Sequence, residues 1–197
     1  MHENRTPLVV AIATHDRRAV IQSLLTIQKV ADQWARAVLF VVGDGSTIPA
    51  SRNRVVSTLA ERFPRDTTLW VLWLDSDILV PAGDAPRLRA ALAWAETTGV
   101  AVVGDYRMAT GQHVLMAARP DCPFHHYSDE ELAALPRPYP RVDLAGFGLT
   151  YVPQPLGYEF YADTVGEDIH FWWDHPTLAV HWIDGLTLVH RKAVLLS

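Results

Sequence analysis

Leu69-Trp70-Val71-Leu72-Trp73-Leu74-Asp75-Ser76-Asp77 is an uninterrupted apolar run that ends abruptly in two carboxylates separated by one serine. Six apolar residues bounded by polar ones predict a strand buried on both faces. The two aspartates then emerge at its carboxyl end, the edge at which open α/β sheets bind ligands. Two ionised carboxylates about 4 Å apart repel by roughly 4 kcal/mol at an effective dielectric of about 20. Such a pair calls for a cation, a shared proton or solvent to relieve it. Standing alone, Asp-x-Asp is also a common solvated turn or helix cap, so the rest of the chain has to decide.

Outward from this strand, apolar runs alternate with helical periodicity. Leu8 to Ala13 is a short run with β-branched residues, followed by Thr14-His15-Asp16 and then by Val20, Leu24, Ile27, Ala31 and Trp34 at helical spacing. Ala37 to Val42 repeats the buried-strand signature and ends in Gly43-Asp44-Gly45-Ser46. Val55, Val56, Leu59 and Phe63 then predict a second amphipathic helix. Asp84 is placed to cap a third, with Pro86 tolerated in its first turn and Leu88, Leu92 and Ala95 facing inward; Gly99 ends it before a fourth strand from Val100 to Val103. This alternation predicts a single α/β domain with right-handed crossovers and a mainly parallel sheet flanked by helices. Thr14, Asp44 and Asp77 then share one rim.

After Gly104 the pattern changes. Gln112 to Ala117 reads as a strand, and Ser128-Asp129-Glu130-Glu131 is a capping box opening a short helix through Leu135. Pro120, Pro123, Pro136, Pro138 and Pro140 make much of 119–141 a long loop or lid. Val142–Leu144 and Leu149–Val152 flank Gly146-Phe147-Gly148. Glu167 to Trp173 reads as a short helix, and Leu178–Trp182 and Leu186–His190 as two closing strands. The 197 residues are 49% hydrophobic, enough for one well-packed domain, and the net charge of −5 argues against general nucleic-acid binding. The lone Cys122 allows no internal disulfide and no Cys-x-x-Cys zinc site. The amino terminus carries neither a signal peptide nor a transmembrane segment, so a soluble, cytoplasmic protein in a reducing compartment is expected.

Taken in order, these motifs resemble the nucleotide-diphospho-sugar glycosyltransferases of the GT-A fold, over most of the chain. Val41-Val42-Gly43-Asp44-Gly45-Ser46-Thr47 is similar to the family's second-strand signature, in which two aspartates usually precede Gly-Ser; here Gly43 replaces the first. Ala50-Ser51-Arg52-Asn53 is similar to the segment opening the next helix. Asp75-Ser76-Asp77 with downstream Pro81 resembles the metal-binding Asp-x-Asp, and Leu144-Ala145-Gly146-Phe147-Gly148-Leu149 the small-residue turn near sugar and acceptor. Gly166-Glu167-Asp168-Ile169-His170-Phe171 resembles the Glu-Asp motif, and His190 stands where a carboxy-terminal histidine often completes the metal site.

The resemblance implies a Rossmann-like sheet with a small antiparallel portion near the active site. It assigns residues 1–104 to a nucleotide-binding half and 105–197 to an acceptor and catalytic half. It also implies a near-minimal hexosyltransferase-like enzyme, taking a sugar from a UDP- or GDP-sugar donor to an acceptor hydroxyl on a glycan, protein or lipid-linked molecule, with inversion. A hard divalent cation offsets charge building on the departing diphosphate. Asp77 is its direct ligand, Asp75 reaches it through water or touches the ribose, and His190 adds a nitrogen that favours Mn2+ over Mg2+. Thr14, His15 and Asp44 would meet the base, Arg52 would offset diphosphate charge, and Asn53 would line the nucleotide pocket. Asp168 is the expected base, with Glu167 as alternative, because a carboxylate at a helix start takes the acceptor proton. Gly146, Phe147, Gly148 and Trp172 would form the sugar and acceptor side. A sugar-1-phosphate nucleotidyltransferase and a non-catalytic nucleotide-sugar-binding or interaction domain of the same fold are the competing readings. Against the first, Thr14-His15-Asp16 lacks a Gly-rich, basic turn. A dehalogenase-type phosphatase fits less well, since the aspartates follow the third strand and Leu79 stands two places on.

Overall fold

The computed structural model describes residues 6–14, 19–186 and 188–191. β1 (Leu8–Thr14) is buried along its whole length, as a strand covered on both faces must be. α1 (Ile21–Gln33) turns Ser23, Thr26, Ile27, Val30 and Ala31 inward at helical spacing. β2 (Val38–Asp44), α2 (Ile48–Ala60), β3 (Thr68–Asp75), the two-residue β4 (Ile78–Leu79) and α3 (Ala85–Thr98) follow. Thr47 caps α2 by accepting from the Ala50 amide. Asp84 precedes α3 but makes no capping bond; its carboxylate accepts from Arg87 instead, and Gly99 ends the helix at a φ of 73°.

The second half supplies β5 (Ala101–Val103), β6 (Leu115–Ala117), β7 (His125–His126), α4 (Asp129–Ala134), β8 (Arg141–Val142), β9 (Leu144–Ala145), β10 (Leu149–Pro155), α5 (Glu167–Asp174), β11 (Val180–Trp182) and β12 (Val189–His190). The central sheet has the order β2-β1-β3-β10-β5-β11-β8. Five of these strands are parallel, while β10 and β8 run against them. β10 lies between β3 and β5, paired from Leu149 opposite Leu74 to Pro155 opposite Thr68. Its Pro153 and Pro155 fall beyond the two residues that pair with β5, where the strand has an open side. The stretch expected to be a loop or lid holds β7 and α4, and the Ser128–Glu131 capping box forms in both directions. β7-β6-β9 make a small antiparallel sheet, and β12 pairs antiparallel with β4. Among the described residues, no helix is long and apolar enough to cross a membrane.

The sheet separates two apolar cores. One, under α2 and α5, contains Trp73, Phe147, Phe160 and Phe171; the other, under α1 and α3, contains Ile27, Leu72, Leu88 and Tyr151. The second core also fixes the backbone beyond Asp77 through polar side chains. Ser23 Oγ donates to the Ile78 carbonyl (2.7 Å) and accepts from the Val80 amide (2.9 Å), and Thr26 Oγ1 lies 2.9 Å from the Val80 carbonyl.

Gly43 is a glycine for a steric reason. A Cβ there would fall 1.9 Å from the Ser51 carbonyl oxygen and 2.7 Å from a Val55 methyl, because α2 lies directly on this point of β2. Overpacking against backbone typically costs about 1–3 kcal/mol or more. Gly43→Ala is therefore expected to lower unfolding free energy by at least about 3 kcal/mol in chemical denaturation. Gly83→Ala, with nothing within 4 Å of its added methyl, is the control and should be neutral.

Candidate functional site

The carboxyl ends of β1 and β3 and the first turns of α2 and α5 surround a cavity of about 410 Å3. It opens at the edge of the sheet where parallel strands present their loops. Asp75 and Asp77 both line it, and so does His190, brought there by the antiparallel register that sets His190 opposite Ile78. His190 Nε2 lies 3.2 Å from Asp77 Oδ2, across 113 residues of sequence. Its Nδ1 is buried without a hydrogen bond to any of the described residues. The Arg191 amide donates to the Asp77 carbonyl at 3.0 Å, which fixes the same junction through the backbone.

Among the described residues that line the cavity, Arg52 is the permanent cation, and it is 2% exposed. Its Nη2 donates to Asp75 Oδ1 at 3.2 Å and its Nε to Glu167 Oε1 at 3.0 Å, while Nη1 is buried with no hydrogen-bond partner among the described residues. Phe147, Trp73 and Phe160 surround the guanidinium at 4.9, 5.3 and 5.9 Å from their ring centroids. Burial works against this charge, but Asp75, Glu167 and Asp168 outweigh it and hold the Arg52 pKa above its usual value. Asp75 titrates above the usual carboxylate range because burial outweighs the pull of Arg52, and Asp77 and Glu167 add to the shift.

Glu167 and Asp168 open α5, where the first-turn amides favour negative charge. Their roles separate at once. Glu167 is taken by Arg52, whereas Asp168 uses only Oδ1 locally, accepting from the Ile169 amide at 2.9 Å. Asp168 Oδ2 faces the bare α-carbon of Gly146, where an added Cβ would lie 3.2 Å from it. Burial and the neighbouring Glu167 carboxylate push the Asp168 pKa up to about 6, against the opposing pull of Arg52.

Gly148 has no room for a side chain because Tyr106 lies on it, and at Gly146 a Cβ would meet a Val114 methyl at 2.5 Å before reaching the tyrosine. A Cβ on Gly148 would fall 2.3–2.7 Å from the Tyr106 ring edge and hydroxyl, and one on Gly146 would fall 3.1 Å from that hydroxyl. The ring also packs on His190, with centroids 5.4 Å apart. Tyr106 thus stands beside both the Asp77–His190 pair and the Asp168 carboxyl. Burial, then the carboxylates Asp75 and Asp168, raise its phenol pKa well above the normal value, so it stays a hydrogen-bond donor. Tyr106 and its cavity neighbour Met108 are absent from the sequence reading. The rule that placed the first three strand ends on one rim extends to β5, and Tyr106 comes three residues after it.

The other expected residues divide. Thr14 lines the cavity, and its carbonyl accepts from Ser51 Oγ at 3.1 Å. Asp44 sits opposite Thr14 in the β1–β2 register, on the same rim but one strand out from the cavity. Phe147 lines the cavity as a buried ring over Arg52. Asn53 is not brought to it: its side chain clamps the Phe160 backbone, donating at 2.8 Å and accepting at 2.7 Å. Trp172 is not brought to it either. Its indole N–H donates to the Ala145 carbonyl at 2.6 Å, and its ring packs on Phe147 in the core. His15 lies outside the described residues. Among the described residues, no three His, Cys, Asp or Glu side chains are grouped so as to hold a metal ion by themselves.

No protein-family profile matches the chain, and no curated protein sequence matches it. Among solved structures, the chain is similar to a crystal structure described as a glycosyltransferase involved in the glycosylation of the major capsid of PBCV-1. The TM-score is 0.50 at 13% identity, covering 93% of this chain and 92% of that one. At this identity the likeness is one of fold: the α/β architecture, with its mostly parallel sheet and small antiparallel sheet, is that of a glycosyltransferase of known structure.

Proposed function

We propose that the chain is a glycosyltransferase that moves a sugar from a UDP- or GDP-sugar to an acceptor hydroxyl with inversion, assisted by a divalent cation, Mn2+ in preference to Mg2+. The observation that carries this reading is the meeting of Asp77 and His190 in the cavity that Asp168 also lines. The shared fold with a glycosyltransferase supports it.

The donor set suits a cation held partly by substrate. Asp77 and His190 offer one carboxylate and one imidazole, and an open site of this kind leaves the remaining positions to diphosphate oxygens and water. Among the described residues, the carboxylates of Asp75, Asp77, Glu167 and Asp168 line the cavity against the permanent cation of Arg52, so added positive charge is favoured. Bound there, a divalent cation supplies electrostatic stabilisation to the departing diphosphate. The chain's own residues do the rest. Arg52 holds Asp75 and Glu167 in place and leaves Asp168 as the carboxylate able to act as base. Asp168 takes the acceptor proton on Oδ2, and the Tyr106 phenol beside it offers a hydrogen bond to the reacting groups without giving up its proton.

Calorimetry with UDP and GDP in the presence and absence of MnCl2 tests the donor side. One of the two should bind wild type only with metal, and Asp77→Ala should abolish that binding; no metal-dependent binding of either nucleotide sinks the proposal.

Asp168 gives a pH test with a defined sign. Glu167, Arg52, Asp75 and Tyr106 face it, and its pKa of about 6 means the base is ionised only above that value. Donor consumption should rise through pH 6 and level off above it, and Asp168→Asn should slow it about 100- to 10,000-fold. Because the folded pKa lies above the unfolded one, the ionised carboxylate destabilises the native state. The penalty is absent below about pH 4 and complete above about pH 6. Asp168→Asn should therefore be more stable than wild type by about 1–3 kcal/mol at pH 7.5, with no gain at pH 3.5. A variant that is inactive but not stabilised at neutral pH would contradict the assignment.

A further inference from the structure

A second cavity, of about 710 Å3, lies at the opposite edge of the sheet, where β1 and β3 begin. β3 has eight residues, so at about 3.3 Å per residue the two cavities are separated by roughly 25 Å. No part of the Asp77–Asp168 site reaches it.

Its lining selects a ligand class by charge. Among the described residues the cation lining it is Arg36, each of whose nitrogens donates: Nη1 to Glu96 Oε1 at 2.6 Å, Nε to the Thr6 carbonyl at 2.8 Å and Nη2 to the Pro7 carbonyl at 3.2 Å. Among the described residues the charges of Arg36 and Glu96 thus offset one another, so neither an anion nor a cation meets a net opposite charge. A wholly apolar ligand would bury the hydroxyls of Thr6, Thr67 and Thr68, none of which makes a side-chain hydrogen bond with the described residues. Glu96 Oε1 also accepts from the Tyr151 hydroxyl, while Oε2 receives no hydrogen bond from the described residues. Two indoles complete the wall. Trp34 is backed by the Arg36 guanidinium at 4.4 Å from its centroid, and Trp70 by the Tyr151 ring at 5.1 Å in a stacked arrangement.

A neutral ligand with an apolar face and many hydroxyls satisfies all of these groups together. The indoles take its C–H face, the Glu96 oxygen accepts and the threonine hydroxyls do both. We propose that this cavity is a saccharide-binding site, separate from the catalytic cavity and able to hold a distal part of a glycan. The inference stands whether or not the opposite edge transfers sugar.

The test is NMR titration of wild type with maltohexaose, cellohexaose, chitohexaose and mannohexaose, following the indole Nε1–H resonances of Trp34 and Trp70. At least one should shift both resonances saturably. Trp70→Leu, which keeps an apolar side chain on Tyr151, should weaken that sugar at least about tenfold, the loss of about 1.4 kcal/mol of stacking. Asp77→Ala should leave the sugar's affinity unchanged, and Trp70→Leu should leave metal-dependent nucleotide binding unchanged, so this proposal and the transferase reading fail separately. Silence of both indoles with all four sugars, unchanged affinity in Trp70→Leu, or loss of binding in Asp77→Ala would each overturn it.

Discussion

A single buried guanidinium makes the acid-rich edge of this sheet possible. Asp75 ends a strand and Glu167 starts a helix more than ninety residues later, and Arg52 holds both while three aromatic rings keep water from it. Leaving one member of such a buried group unpaired costs about 3–5 kcal/mol. The fold therefore fixes the spacing of the carboxylates before any ligand arrives. The same bond also divides labour between two adjacent acids that composition cannot tell apart. Glu167 is held by Arg52, and Asp168 is left facing the cavity with its pKa pushed up to about 6.

Much of this was legible in the chain. The buried run ending at Asp75 and Asp77, the strand–helix alternation through Val103 and the capping box at Ser128 are local patterns, and each formed where the sequence placed it. The meeting of His190 with Asp77 followed from motif order and not from any periodicity. What local pattern does not carry is pairing across distance. β10 was readable as a strand, but its antiparallel insertion between β3 and β5 depends on which edge is open when it arrives. Side-chain partners are equally silent in the sequence. Asn53 next to Arg52 reads as a second cavity residue, yet one helical step turns it toward the Phe160 backbone. Trp172 follows the Glu-Asp pair closely, but its indole finds the Ala145 carbonyl and remains in the core. Tyr106 carries no motif at all. Its place shows only once Gly148 is seen as the bed for its ring.

The glycines on this edge have one physical theme. Gly43 lets α2 rest on β2, Gly148 lets the Tyr106 ring lie on a turn, and Gly146 makes room for Val114 and the Tyr106 hydroxyl. In each case the missing Cβ brings two elements closer than side chains would allow. Gly43 thus serves helix packing, with Asp44 beside it opposite Thr14.

The bonds from Ser23 and Thr26 to the backbone at Ile78 and Val80 bear on how the site comes apart. β4 is only two residues long and pairs on one side with β12, so helix side chains take the place of a missing neighbour strand. Undocking α1 would strand those buried groups and loosen the segment that carries Asp77 and receives His190. The helix, β4 and β12 thus form one cooperative unit of local unfolding. Conformational opening at the Asp77–His190 corner is governed by an amphipathic helix that contributes no side chain to the cavity itself.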